Sequence, residues 1–298
     1  MEIIATNTLV RHKKSKIKED RVFNIVVCTF LVIFAMSCVV PIFLVVMRAF
    51  GSFRYNTFVI PRALTLGNFS YVLNDERFFR AFGMSVLVSI SGVVLSGLVV
   101  CFAAYPLSKK DFPLRREIMI FLIAAMLFSG GLVPFFLIMR EYRLLDTPFA
   151  LVLPGIANVF NLILMKNYFE GLPTELEEAA KIDGAQYARI LFQIIIPLSM
   201  PMLATLSLFL FVAYWNSYMT PLIMLPEQAN RFGTLQLYLF NLIQDADGMQ
   251  AAENPERALM MPNIEAAAIV LSIIPVLLIY PFVMKHFSKG IVIGSVKG

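Results

Sequence analysis

Residues 172–197 read LPTELEEAAKIDGAQYARILFQIIIP, the one charged, amphipathic and well-punctuated stretch in the second half of an otherwise oily chain. Pro173 suits a first helical turn, where a missing N–H costs nothing. Glu175, Glu177 and Glu178 follow near the helix N-terminus, where the macrodipole favours negative charge. Leu176, Ala179, Ala180 and Asp183 fall at i, i+3, i+4 and i+7 and so share one face. A face of alanines is shallow, and a second protein's surface can close down on it. Gly184 permits a bend that a residue with a Cβ resists. Beyond it, Tyr187, Ile190, Leu191 and Ile194 begin a second apolar stripe that runs to Pro197. The stretch predicts two short helices at an angle, on the water side of a membrane.

That membrane is implied by composition. The 298 residues are 59% hydrophobic and 15% charged, with a mean hydropathy of +0.76. Soluble domains carry about 25% charged residues, so this chain is built for lipid. Six apolar runs predict six transmembrane helices, at 23–47, 81–107, 118–139, 148–168, 198–222 and 266–287. The first run follows a basic segment, 1–22, and is too long for a signal peptide's apolar core of about 7–15 residues. It is long enough to cross about 30 Å of hydrocarbon and reads as a retained helix. In the second run Ser85, Ser89, Gly92 and Ser96 put small residues at helical spacing, which allows close packing. The third is interrupted by Ser129, Gly130, Gly131 and Pro134, a break expected to face protein or water rather than lipid. Segment 48–80 reads as an outer loop with Phe53, Tyr55 and Tyr71 as aromatic anchors, and 226–263 as a polar, acidic outer loop.

Basic residues set the orientation. Assigning alternate connections to opposite sides puts sixteen Lys and Arg on one side and nine on the other. The richer side holds the N-terminus with six, the connection with Lys109, Lys110, Arg115 and Arg116, the stretch 166–197 with Lys166, Lys181 and Arg189, and the C-terminus with Lys285, Lys289 and Lys297. The positive-inside rule places that side, with both termini, in the cytoplasm.

Much chemistry is missing. No G-x-x-x-x-G-K-[ST] phosphate loop occurs, so energy has to arrive from another polypeptide. Cys28, Cys38 and Cys101 lie in apolar runs and read as small hydrophobes among helices. The two histidines, His12 and His286, lie near the termini, and no metal site is expected. The apolar runs carry no buried Asp, Glu, Lys or Arg at mid-depth, whereas ion-coupled carriers commonly need one. This argues for a neutral cargo, or one held by no buried counter-charge in this subunit.

Glu178-Ala179-Ala180, three residues, Gly184, nine residues and Ile194-Ile195-Ile196-Pro197 together resemble the cytoplasmic signature loop (EAA motif) of permease subunits of binding-protein-dependent ABC importers. The departure is Ile196, where leucine is usual. The runs LLDTPFALVLPG (144–155) and AKIDGA (180–185), with the ending VKG (296–298), are similar to the carbohydrate-uptake, maltose-permease-like branch. The resemblance spans roughly residues 65 to 298.

The resemblance implies an all-α, polytopic membrane protein with the ABC importer permease fold, not an enzyme, in a bacterial plasma membrane. Its core would be 81–287, with the ATPase-coupling loop at 169–197. Glu178, Ala179, Ala180, Asp183, Gly184, Ala185 and Pro197 would serve coupling. The implied partners are a homologous permease in a heterodimer, two cytoplasmic ATPase subunits that bind ATP and Mg, and an extracytoplasmic solute-binding protein. This chain would hold no cofactor itself, and membrane lipid rather than nucleic acid would surround it. The cargo would be a sugar, an oligosaccharide, with amino acids or peptides as the alternative and an ion-coupled carrier as a more distant one. Asn158, Asn161, Trp215 and Asn216 are the candidate path residues, since amides bond sugar hydroxyls and aromatic faces stack on sugar rings. Tyr214 and Tyr218 read equally well as cargo contacts or interfacial anchors.

Overall fold

The computed structural model describes residues 2–52, 61, 63–128, 130–247 and 255–294, with side chains at 23–52, 61, 63–128, 130–229, 231–244 and 260–281. Phe53 and Tyr55 lie outside the described residues, as do Ser129 and the last residues of the tail.

Every named element is helical. The first helix, α1 (Glu2–Ala49), joins the basic segment to the first apolar run without a break. The most apolar window of its Phe23–Ala49 part has a mean hydropathy of 2.9, yet none of that window is buried by the rest of the chain. Phe23, Phe30 and Ile33 are each about two-thirds exposed. Such a surface is stable only in lipid or against another chain, and a helix is the form that satisfies its backbone there. Cys28 and Cys38 share that outer surface, and Cys101 is buried. The burial expected for the first two therefore fails, because α1 stands outside the bundle along most of its length.

Only the far end of α1 is tied in, with Ala49 fully buried. Its last carbonyls are capped by two buried amides. Asn68 donates to Ala49 O and Gly51 O at 2.9 and 3.0 Å, and Asn263 donates to Gly51 O at 3.1 Å. These bonds supply the donors that carbonyls at a helix C-terminus otherwise lack. Asn68 belongs to α2 (Gly67–Leu73), a short helix in what the sequence presents as a loop.

The organising element is α3 (Glu76–Ser108), capped by Asp75, whose side chain accepts from Arg77 N. Its stripe of Ser85, Ser89, Gly92 and Ser96 is buried. Three apolar clusters lie along it, around Phe78, Val88 and Val100 to Tyr105.

The next three spans are broken. They comprise α4 (Arg115–Leu127) with α5 (Leu132–Glu141), then α6 (Phe149–Ile156) with α7 (Val159–Glu170), bent by 45°. In the third, residues 187–198 meet α11 (Met200–Trp215) at 80°. Counting each bent pair as one span, three long helices and three broken ones make up to six. The break between α6 and α7 is capped by Asn158, whose side chain accepts from Asn161 N at 3.0 Å.

After α11 the chain departs from expectation. The supposed outer loop folds into α13 (Ala229–Phe232) and α14 (Leu235–Asp247), following α12 (Met219–Met224). Leu235, Leu239 and Leu242, at i, i+4 and i+7, are buried against the cluster around Phe78. The acidic residues nearby masked this leucine periodicity. The last helix, α15 (Pro255–Gly294), starts earlier than position 266 and takes half-buried Glu265 into its length. Ala266, Ala267 and Ala268 are buried on its inner side.

Candidate functional site

The stretch at 172–197 forms an elbow. Helix α8 (Glu175–Ile182) carries Glu175, Glu177 and Glu178 in its first turn, and Pro173 stands just before its N-cap Thr174 rather than inside the turn. The helix ends in a Schellman motif: Ala185 N donates to Ala180 O at 2.9 Å and Gly184 N to Lys181 O at 3.0 Å. This motif requires a left-handed residue, and Gly184 has φ +78. A Cβ there would meet nothing within 4 Å, so the position needs glycine for its backbone and not for space.

Beyond the elbow come α9 (Tyr187–Ile190), a π-helical turn (Leu191–Ile195) and α10 (Ile196–Leu198). Pro197 has no N–H for the carbonyl four residues back and crowds it, and the widened turn just upstream accommodates that conflict.

The two faces of α8 differ from the face marked out by spacing. Leu176, Ala179 and Asp183 are exposed, as a face offered to a second protein requires, but Ala180 is buried, and Glu177 is the other buried residue. The helix is rotated so that Glu177 and Ala180 meet the bundle. This leaves Glu175, Glu178, Ala179 and Ile182, at i, i+3, i+4 and i+7, facing outward. Ile182 is 87% exposed. Lys181 Nζ lies 5.3 Å from the Tyr187 ring centroid, bridging the two arms of the elbow.

Glu177 is a residue that the sequence reading did not single out. It forms an ion pair with Lys109, the residue that ends α3, and Lys109 Nζ also lies 4.6 Å from the Tyr105 ring centroid. A carboxylate as buried as Glu177 is costly unless paired. Around it, Arg115 and Lys166 both pair with Glu170, and Arg115 Nε donates to Leu107 O at 2.9 Å. Ala180, Ile190, Leu191 and Ile195 pack with Val100, Ala104, Met165 and Phe169 in one cluster. The elbow is thus fixed to the ends of α3 and α7 through its inner face.

The candidate path residues differ in burial. Asn158 is exposed at the break before α7, and Asn161 is buried one turn in. Trp215 is 1% exposed, stacked on Phe211 at 5.5 Å and edge-on to Phe82 at 5.8 Å, and its Nε1 donates to Ser272 O at 3.1 Å. This corrects the expectation of an open aromatic platform, because neighbours of its own chain enclose the ring. Asn216, next in sequence, is exposed.

Tyr214 is neither an anchor nor open to cargo. It is buried, its hydroxyl donates to Val152 O at 3.0 Å and lies 3.1 Å from Ser96 Oγ, and its ring covers Gly92 and Gly155. Tyr218 is 41% exposed and stacks on Phe240.

At the opposite end of α3, Asp75 pairs with Arg77 and accepts from the Tyr238 hydroxyl at 3.1 Å. Burial pushes its pKa up, but the Arg77 bonds and charge and the Tyr238 hydroxyl outweigh this and hold the carboxyl below its usual range. Burial, then the Asp75 charge, raises the Tyr238 pKa. No cluster of three metal-ligating side chains occurs among the described residues.

A bundle of apolar, partly broken spans carrying an exposed elbow at one end defines a multi-pass membrane transport subunit. The chain belongs to the family described as binding-protein-dependent transport system inner membrane component, which it matches over residues 16–293. It is 38% identical over 287 residues to a polygalacturonan/rhamnogalacturonan transport system permease protein of Bacillus subtilis, covering 94% of this chain and all of that one. An arabinooligosaccharides transport system permease protein of Halalkalibacterium halodurans is 30% identical, with 89% of this chain and 94% of that one covered. Among solved structures, a bacterial ABC transporter involved in import of the acidic polysaccharide alginate matches with TM-score 0.82 and 35% identity. That match covers 90% of this chain and 98% of the other. The protein is therefore a permease, a membrane subunit of a transport system and not a catalytic one.

Proposed function

We propose that this chain is the permease subunit of an ATP-driven importer for oligosaccharides, working beside a homologous permease and two ATPase subunits that hold ATP and Mg. The observation that carries this reading is the exposed Glu175–Glu178–Ala179–Ile182 face of α8, presented by an elbow clamped to the bundle. The named cargoes of similar permeases support a saccharide, and the basic-residue count supports a cytoplasmic elbow and cytoplasmic termini. Cargo would arrive from an extracytoplasmic binding protein in a bacterial plasma membrane. Closure of the ATPases would move α8 as a lever, passing motion to α3 through Lys109 and to α11 through Gly184. Asn158 and Asn216, exposed at the broken spans, are the polar side chains offered to a sugar.

The test is ATPase activity of the reconstituted complex with its binding protein, across neutral oligosaccharides, uronate oligosaccharides and peptides. Stimulation by a saccharide is expected. Stimulation by peptides alone, or transport without any ATPase, would refute the proposal.

A further inference from the structure

At the same end of the bundle as α8, a recess of about 760 Å³ opens between the α3–α4 connection, the start of α4 and Lys166 of α7. Four of its side chains are basic (Lys110, Arg115, Arg116 and Lys166) and one, Glu117, is acidic. Glu170 answers both Arg115 and Lys166, so one carboxylate serves two cations. Lys110 and Arg116 are exposed, with no ion pair among the described residues. The rest of the wall is apolar and includes Met119, Ile120 and Ile123.

The recess continues into exposed apolar surface. Helix α4 has no buried residue, and Phe121 and Leu127 further along it are 71% and 70% exposed. Cations at the mouth of an apolar span, with aliphatic side chains running away from them, match an amphiphile with an anionic head and hydrocarbon tails. Basic recesses between spans at the membrane border are suited to such headgroups.

We propose that this recess binds an anionic phospholipid, its phosphate held by Lys110, Arg115, Arg116 and Lys166 and its acyl chains laid along Ile120 and Ile123. The site is independent of the cargo and of the ATPase-docking face. Its failure would leave the transport reading untouched.

The experiment uses the full-length chain, purified in neutral detergent and titrated with phosphatidylglycerol, phosphatidylcholine or inorganic phosphate, with bound lipid counted by native mass spectrometry. Phosphatidylglycerol is expected to bind and phosphatidylcholine not to. The double variant K110Q/R116Q should bind phosphatidylglycerol about tenfold more weakly or worse. The single variant R48Q, at an exposed cation on α1, should bind as the unaltered chain does. Equal binding of the two lipids, unchanged binding by K110Q/R116Q, or displacement of the lipid by millimolar inorganic phosphate would overturn the proposal. Should the double variant fold poorly, K110R/R116K keeps the charge. Retained selectivity there supports the site, and lost selectivity overturns it.

Discussion

Glu177 on α8 and Lys109 at the end of α3 are 68 residues apart in sequence and joined by an ion pair in the fold. Glu177 is 7% exposed, and Ala180 one turn on is buried beside it. The pair therefore couples the elbow to α3, the long helix along which the three apolar clusters lie. A motion imposed on α8 has a direct route into α3.

Breaking this pair should uncouple the machine. Glu177→Gln or Lys109→Gln leaves the partner's charge partly buried, a loss of about 1–3 kcal/mol. Uptake should fall while ATP hydrolysis persists in the reconstituted complex. The double variant E177K/K109E, which restores opposite charges, should recover uptake above either single reversal.

Gly184 makes a different demand. Its φ of +78 costs a residue with a Cβ about 1–2 kcal/mol, and no neighbour crowds the position. Transport should therefore decline in the order Gly184→Asn, Gly184→Ala, Gly184→Val, following tolerance of the left-handed region rather than side-chain volume. Membrane expression of all three should match that of the unaltered chain. A ranking by size would contradict the backbone explanation.

Tyr214 locks α3, α6 and α11 by lying over two glycines. Gly92→Ala or Gly155→Ala should destabilise the bundle by about 1–3 kcal/mol through overpacking. Combined with Tyr214→Leu, either change should cost less than the sum of the single effects, because the ring that creates the clash is gone. Thermal unfolding in detergent reads this directly.

Asp75 gives the end of α3 away from the elbow a dependence on acid. A carboxyl whose pKa is lowered by folding contributes stability that is fully present above its unfolded value of about 3.9. That contribution is lost as pH falls through the lower folded value. The Tm advantage of the unaltered chain over Asp75→Asn should hold at pH 6 and shrink below about pH 4. An advantage that grows on acidification would contradict the assignment.

Local punctuation was the most legible part of the site. An acidic first turn, two alanines and a glycine at fixed spacing announce α8 and its left-handed stop, because helix caps are decided within a few residues. The helix phase was not legible in the same way. Which face of α8 turns inward depends on Lys109, and nothing near Glu177 in sequence points to it. In sequence Trp215 reads as a path residue, and Tyr214 as either a cargo contact or an interfacial anchor. The 80° bend at Ser199 and the packing of α11 between α3 and α15 place both in the core instead. In 226–263 the acidic residues drew attention to the charge, and the leucines that bury α14 were hidden among them.

The central claim is that the outward face of α8 is where an ATPase grips the permease from the cytoplasm. Replace Cys28, Cys38 and Cys101 by serine, place a single cysteine at Ile182, and treat intact cells and the purified complex with thiol reagents. The account predicts that Ile182→Cys is shielded from impermeant reagent outside the cell and cross-links to the ATPase subunit. Labelling from outside intact cells, with no cross-link to an ATPase, would contradict it.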